Sequence, residues 1–269
     1  PALCAWICEA MAAEGLSVTD LGMASTPAMF MSTVTEGYEY DASVMITASH
    51  LPFNRNGFKF FTPQGGLEKQ DIAEILKFAT SDGHTGLPAG SVETGAFMDA
   101  YAALLCKKVR DATGSETPLA GLRIVVDAGN GAGGFYAAKV LQPLGANTDG
   151  SRYLEPDGSF PNHIPNPENE AAMQSIMDAV AKTHADLGII FDTDVDRAGA
   201  VLSDGSELNR NRIIAMLSAI LLREHPGTTI VTDSITSTGL AAFIEKHGGV
   251  HHRFKRGYRN VINESIRLN

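Results

Sequence analysis

Apolar runs of strand length that break abruptly into polar, turn-forming loops restrict the fold of this chain more than any other feature. Residues 44–46 run into Thr47-Ala48-Ser49-His50, residues 122–126 into Asp127-Ala128-Gly129-Asn130-Gly131, and residues 185–191 into Asp192-Thr193-Asp194-Val195-Asp196-Arg197. Helical spacing fills the intervals: residues 1–13, a stretch after Pro27, residues 71–79 and 96–110, and a run ending near His184. Strand and helix in alternation imply an α/β protein, and in such sheets ligands sit where the carboxyl ends of strands open into crevices. Loop-like residues 81–95 and the break at 113–118 punctuate the pattern, and a further helix, strand and helix follow Asp204-Gly205. The expected units are 1–112, 113–207 and 208–269.

Ser49 is expected on a loop rather than at a helix start. Capping is the commonest task of a serine after a strand, but Pro52, Asn54, Asn56 and Gly57 forbid both a long helix and an unbroken strand here.

Gly129, Gly131 and Gly134 satisfy G-x-G-x-x-G between a strand and a helix, with Asp149 about where a ribose-binding acid would lie. Alone that favours a dinucleotide enzyme, although a tight strand-to-helix turn needs the same glycines without a nucleotide. Residues 155–168 are too rich in proline for regular structure.

Asp192, Asp194 and Asp196 alternate along one loop and converge on a cation if the backbone curls, and all-oxygen ligation selects a hard ion such as Mg²⁺. An EF-hand needs Gly and Glu where this chain has Arg197 and Ser203, and a helix where it has a strand. A solvated acidic turn is the plain alternative, weakened by the apolar strand that feeds the triplet and by Arg197 beside it. The basic run from His251 to Arg259 reads as a solvated face or, less often, a nucleic-acid patch.

Composition fits a soluble globular protein: 44% of the 269 residues are hydrophobic, and the length suggests about two domains. A net charge of −10 argues against nucleic acid as a partner, and no apolar run is long enough for a membrane span. Cys4, Cys8 and Cys106 show neither C-x-x-C spacing nor an even count, so buried thiols in a reducing compartment are expected. Starting at Pro1, inside a helical pattern, suggests a chain cut from something longer.

Taken together, these stretches resemble the α-D-phosphohexomutases, the family of phosphoglucomutase and phosphomannomutase. The serine loop T-A-S-H-N-P…N-G-[FY]-K is matched at Thr47, Ser49, His50, Pro52, Asn56, Gly57, Phe58 and Lys59, with Leu51 in place of the usual Asn. A D-x-x-N-G-x-G turn begins at Asp127, D-G-x-F-P-x-x-x-P-N-P-E at Asp157, and the metal motif D-G-D-[AG]-D-R at Asp192 with Thr193 replacing its glycine. Lys255-Arg256-Gly257 matches a K-x-G loop of the third domain.

The resemblance implies consecutive mixed-sheet α/β domains of the phosphohexomutase type. It implies a reversible mutase between hexose 1-phosphate and hexose 6-phosphate, glucose first and mannose second, with a hexose 1,6-bisphosphate as activator and intermediate. Ser49 carries the phosphoryl group in that reading. Asp192, Asp194 and Asp196 hold Mg²⁺ together with an oxygen on Ser49, Lys59 and Arg197 stabilise the transferring group or shuttle the sugar hydroxyl proton with His50 hydrogen-bonded nearby, and Lys255 and Arg256 face the phosphosugar. The rivals are a retired paralogue that binds a sugar phosphate or a protein without catalysis, for which Leu51 is the evidence, and a metal-dependent phosphatase. A cytoplasmic protein is expected, with the plastid stroma as alternative because the H-L-P variant looks like that of plastid-type members. The sugar-reading G-E-x-S-G loop and the fourth domain's phosphate loop do not occur in these residues, so neither the preferred hexose nor the oligomeric state is legible.

Overall fold

The computed structural model describes residues 2–51, 54–81 and 84–268. The expected turn at Asp82-Gly83, and Pro52 of the serine loop, lie outside them. The chain packs as two compact units, Pro1–Ser206 and Glu207–Asn269.

The first unit opens with α1 (Ala2–Ala13), β1 (Val18–Asp20), α2 (Thr26–Met31), β2 (Ser43–Ile46), β3 (Phe58–Thr62), β4 (Gly65–Gly66), α3 (Lys69–Ala79), β5 (Val92–Thr94) and α4 (Met98–Thr113). It closes with β6 (Ile124–Asp127), α5 (Glu170–Thr183), β7 (Leu187–Phe191) and β8 (Ala198–Leu202). β2, β3 and β4 form an antiparallel sheet in which Met45 faces Lys59, and β1 pairs in parallel with β5. The sheet β6–β7–β8 is mixed, parallel at its first pair and antiparallel at its second.

That last sheet is covered on both faces, which is why β6 reads as an unbroken apolar run. Val125, Ile190 and Val201 pack against Ile176 and Val180 of α5, while Ile124, Val126 and Phe191 pack against Ala137 and Leu141. The element carrying Ala137 and Leu141 is not the α-helix expected after the glycine turn. A short 3₁₀ turn, Ala132–Gly134, gives way to a π-helical segment, Tyr136–Leu141. Ala102 and Cys106 of α4 pack against Val140 and Leu144 at its far end, and Phe97 and Tyr101 pack against Ala28 of α2.

The second unit comprises α6 (Arg210–Glu224), β9 (Thr229–Thr232), α7 (Thr238–Lys246), β10 (Val250–Arg253) and α8 (Tyr258–Leu268), with β9 and β10 parallel. Residues 81–95, read as loop, contain β5, and the basic run at 251–259 contains most of β10 and the start of α8. No helix among the described residues is long and apolar enough to cross a membrane.

Candidate active site

The loops leaving β2 and β7 meet in the first unit. At the base of the first, the Thr47 N–H donates to the Gly57 carbonyl at 2.9 Å. A Cβ on residue 57 would stand 2.8 Å from the Thr47 oxygen, so only glycine closes the loop there. Thr47 Oγ1 accepts the Ser49 N–H at 2.9 Å, and Ser49 takes a left-handed backbone, φ 52°. For a residue with a Cβ that conformation costs about 1–2 kcal/mol, strain that persists only where surrounding contacts fix it.

The second loop curls as the alternating carboxylates require. The Asp192 N–H donates to the Arg197 carbonyl at 3.1 Å, and the Arg197 N–H returns a bond to Asp192 Oδ1 at 3.0 Å. Carboxylate oxygens of Asp192, Asp194 and Asp196 come within 4.8 Å of one another. Val195 sits between them at φ 65°, a β-branched residue where glycine fits best. Its buried side chain belongs to the apolar layer containing Phe191 and Val126.

Side chains from both loops then converge. Ser49 Oγ donates to Asp192 Oδ2 at 3.1 Å and accepts from Arg197 Nη2 at 3.0 Å. His50 Nδ1 stands 3.4 Å from Ser49 Oγ and 2.6 Å from Arg197 Nη2. Arg197 also reaches Asp192 Oδ2 through Nε at 3.1 Å and through Nη2 at 2.9 Å, and its Nη1 donates to Asn166 Oδ1 at 3.2 Å. Lys59 Nζ lies 2.7 Å from both Asp194 Oδ2 and Asp196 Oδ2.

Charge is unevenly shared in this cluster. Burial, followed by the charge on Asp194, pushes the Asp192 carboxyl up to about 6. Burial also opposes the charge of Asp194, but bonds from Lys59 and Thr26 outweigh it and hold that carboxyl below its ordinary value. Lys59 is likewise opposed by burial and carried above its ordinary value by the two carboxylates.

The donor set fits a divalent cation. Asp194 is 1% exposed, and its Oδ1 has no hydrogen-bond partner among the described residues. A buried carboxylate oxygen without a partner is costly, and clustered carboxylates with nothing but oxygen donors suit Mg²⁺.

Ser49, Thr193 and Asp194 line a cavity of about 300 Å³ whose other walls include Met23, Leu51, Arg55, Asn130 and Phe160. The glycine turn approaches the same loop, and its glycines serve packing. A Cβ on Gly131 would stand 2.5 Å from the Thr193 oxygen, and one on Gly134 would stand 1.9 Å from that of Leu154. Its N–H groups are also spent within the protein: Gly129 on Asp127 Oδ1, Asn130 on the Tyr153 carbonyl, Gly131 on Ala128 and Ala132 on Thr193. A pyrophosphate cradle needs such groups free, so the dinucleotide reading loses its support.

Ser49, His50, Lys59, Arg197, Asp192, Asp194 and Asp196 are thus brought together. Lys255 and Arg256 belong to the second unit, exposed in the turn between β10 and α8, with Lys255 Nζ 5.6 Å from the Phe254 ring centroid. Sequence reasoning missed Thr26, whose N–H donates to the Asp194 carbonyl at 2.8 Å and whose Oγ1 donates to Asp194 Oδ2 at 2.7 Å. The only local signal was the start of α2, where Ser25 caps the Ala28 N–H.

With fold and site in place, the chain belongs to the phosphoglucomutase/phosphomannomutase family. Models of that family's alpha/beta/alpha domains I, II and III match residues 1–84, 97–205 and 209–268. A phosphoglucomutase of Neisseria gonorrhoeae is 32% identical over 259 residues, covering 96% of this chain and 54% of the relative. A phosphomannomutase/phosphoglucomutase of Pseudomonas putida is 32% identical over 260 residues, covering 96% and 53%. The crystal structure of a phosphoglucomutase/phosphomannomutase family protein from Burkholderia thailandensis superposes with a TM-score of 0.85 at 27% identity, covering 99% of this chain and 57% of that one. The chain therefore spans about half the length of the curated relatives it matches.

Proposed function

We propose that this chain carries the phosphoryl-transfer centre of a phosphohexomutase, with residues 1–112, 113–207 and 208–269 as successive domains. The enzyme interconverts hexose 1-phosphate and hexose 6-phosphate through a phosphoserine at Ser49 and a hexose 1,6-bisphosphate. The observation that carries this reading is Ser49 itself: a strained serine whose Oγ lies 3.1 Å from a buried carboxylate and 3.0 Å from a guanidinium.

Phosphoryl transfer asks little covalent chemistry of a protein and much positioning and charge neutralisation. Arg197, anchored on Asp192 and Asn166, points Nη2 at the Ser49 oxygen, where the phosphoryl oxygens gather. Lys59 brings a second cation to the neighbouring carboxylates of Asp194 and Asp196. Arg197 donates to His50 Nδ1, which must therefore present a lone pair, and that lone pair also lies near Ser49 Oγ. When the sugar hydroxyl attacks phosphorus and the bond to Ser49 Oγ breaks, the proton lost by that hydroxyl ends on the departing Ser49 oxygen, while His50 holds Arg197 in place beside it. Mg²⁺, held by Asp192, Asp194 and Asp196 and by an oxygen on Ser49, supplies further neutralisation when bound. Lys255 and Arg256 are assigned to the phosphosugar, as the match to the K-x-G loop suggests.

The names of the two relatives support glucose and, second, mannose as the hexose. Charging Ser49 with each bisphosphate in turn tests this: glucose 1,6-bisphosphate is expected to charge it faster, and charging should fall by orders of magnitude in Lys59→Ala and Arg197→Ala. Failure of both bisphosphates would overturn the mutase reading. One observation favours the retired-paralogue alternative: Leu51, half exposed on the cavity wall, stands where the family's serine loop carries Asn.

A further inference from the structure

Cys4 and Cys8 lie one turn apart on α1, and Asp20 ends β1 beside them. The sequence suggested unrelated buried thiols. Instead, the two Sγ atoms and a carboxylate oxygen of Asp20 lie within 4.8 Å of one another. Donors about 2.0–2.3 Å from a tetrahedral ion are roughly 3.5–4 Å apart, so this spacing suits one ion among them. A disulfide suits it less, because residues four apart on a helix hold their Cβ atoms about 5–6 Å apart, beyond the roughly 3.5–4.5 Å that a disulfide spans.

We propose that Cys4, Cys8 and Asp20 form a Zn²⁺ site, distinct from the aspartate loop at Ser49. Two sulfur donors and one oxygen select a borderline-soft ion, whereas the all-oxygen triplet selects a hard one. Cys8 is buried, and Cys4 and Asp20 are partly exposed, which leaves an entry route and room for water as the fourth ligand. Asp20 is also oriented from outside the donor set: its Oδ1 accepts the Gly22 N–H at 2.9 Å. Burial, followed by the charge on Asp20, pushes the Cys4 thiol up to about 11, and zinc takes cysteine only as the thiolate. Zn²⁺ then displaces two protons to solvent and leaves the site, two thiolates, one carboxylate and the ion, at net −1. The ion would tie α1 to the end of β1, a few residues before Thr26 and its bonds to Asp194.

Trp6, the single tryptophan of the chain, stands two residues from each cysteine on α1, exposed on the face turned away from them, and is near enough to report a bound ion without any assay of activity. The reduced, metal-free 269-residue chain is titrated with Co²⁺ in excess Mg²⁺. One equivalent should quench Trp6 and produce a thiolate-to-cobalt charge-transfer band that the aspartate loop cannot give. One equivalent of Zn²⁺ should remove the band. Cys8→Ser and Asp20→Asn should weaken binding at least about tenfold. Cys106→Ser should leave it unchanged, because Cys106 packs elsewhere against the Lys139 and Val140 carbonyls. Absence of the band, an unchanged affinity in Cys8→Ser or loss of the band in Cys106→Ser would overturn the proposal. On the unaltered chain, Zn²⁺ should slow alkylation of Cys4 and Cys8 together and not that of Cys106, and equal rates with and without Zn²⁺ would refute the site even if Cys8→Ser fails to fold. Neither result bears on whether Ser49 accepts phosphate.

Discussion

Val195 shows how much the metal loop asks of single residues. Its side chain is buried, 7% exposed, yet its backbone is left-handed at φ 65°. Alanine normally exceeds glycine in stability by about 0.5–1 kcal/mol within regular structure, but a left-handed site reverses the order by penalising the Cβ about 1–2 kcal/mol. Val195→Gly should therefore be more stable than Val195→Ala by roughly 1 kcal/mol, read from urea midpoints at unchanged slope; equal stability, or the ordinary order, would show that no strain is stored there. Leu51 is argued at the same scale. It forms part of the cavity wall and donates its N–H to the Ala48 carbonyl at 3.1 Å, so the loop path survives without the Asn amide. What is lost is one amide's hydrogen bonding, about 0.5–1.5 kcal/mol per bond, or roughly tenfold in rate for one bond that acts only in the transition state. Leu51→Asn should raise the rate of Ser49 phosphorylation by no more than about tenfold. An inert parent rescued by this change would make the retired paralogue the better account.

Among the elements, the proline-rich stretch 155–168 is held by a polar network rather than by regular structure. His163 Nε2 pairs with the buried Asp127 Oδ1 at 3.0 Å while its Nδ1 meets the Ile164 carbonyl at 3.0 Å, and Ser175 Oγ donates to Asp127 Oδ2 at 2.6 Å. Both ring nitrogens face acceptors, which favours the charged ring. Burial opposes that charge, but the bonds to Asp127 and Ile164 outweigh it and raise His163 above its ordinary value. A raised folded value means the stabilisation is complete below the unfolded value of about 6.5 and is lost as pH rises through the folded one. Urea midpoints should accordingly fall as pH climbs above about 6.5, and His163→Gln should flatten that slope. An identical slope in the variant would assign it to other groups. The elements that the sequence concealed share a cause. All three residues of β5 are exposed, so it lacks an apolar pattern, and β10 carries His251, His252 and Arg253, so it reads as a basic run until pairing with β9 defines it. β6 and β7 were legible because burial on both faces demands continuous apolar sequence. Thr26 was not, since it meets Asp194 across 168 residues of sequence, and the thiols of α1 meet Asp20 only once α1 packs on β1.

Across the whole molecule, every contact among Ser49, Lys59, Arg197 and the aspartates lies within the first unit, whereas Lys255 and Arg256 lie in the second. Metal stabilisation should therefore depend on the former alone. Mg²⁺ at about a hundred times its dissociation constant contributes about 2.7 kcal/mol through binding to the folded state. Differential scanning calorimetry should show a rise in Tm with Mg²⁺ that disappears in Asp194→Asn and persists in a Lys255→Ala, Arg256→Ala double variant. A full shift in Asp194→Asn would contradict the assignment of the metal to this loop.

The position of the transferable phosphate tests the central claim most directly. Freshly purified chain treated with a hexose 1,6-bisphosphate and digested should yield one phosphorylated peptide, with the phosphate on Ser49 and none in Ser49→Ala. Phosphate on another residue, or on none after that treatment, would contradict the account.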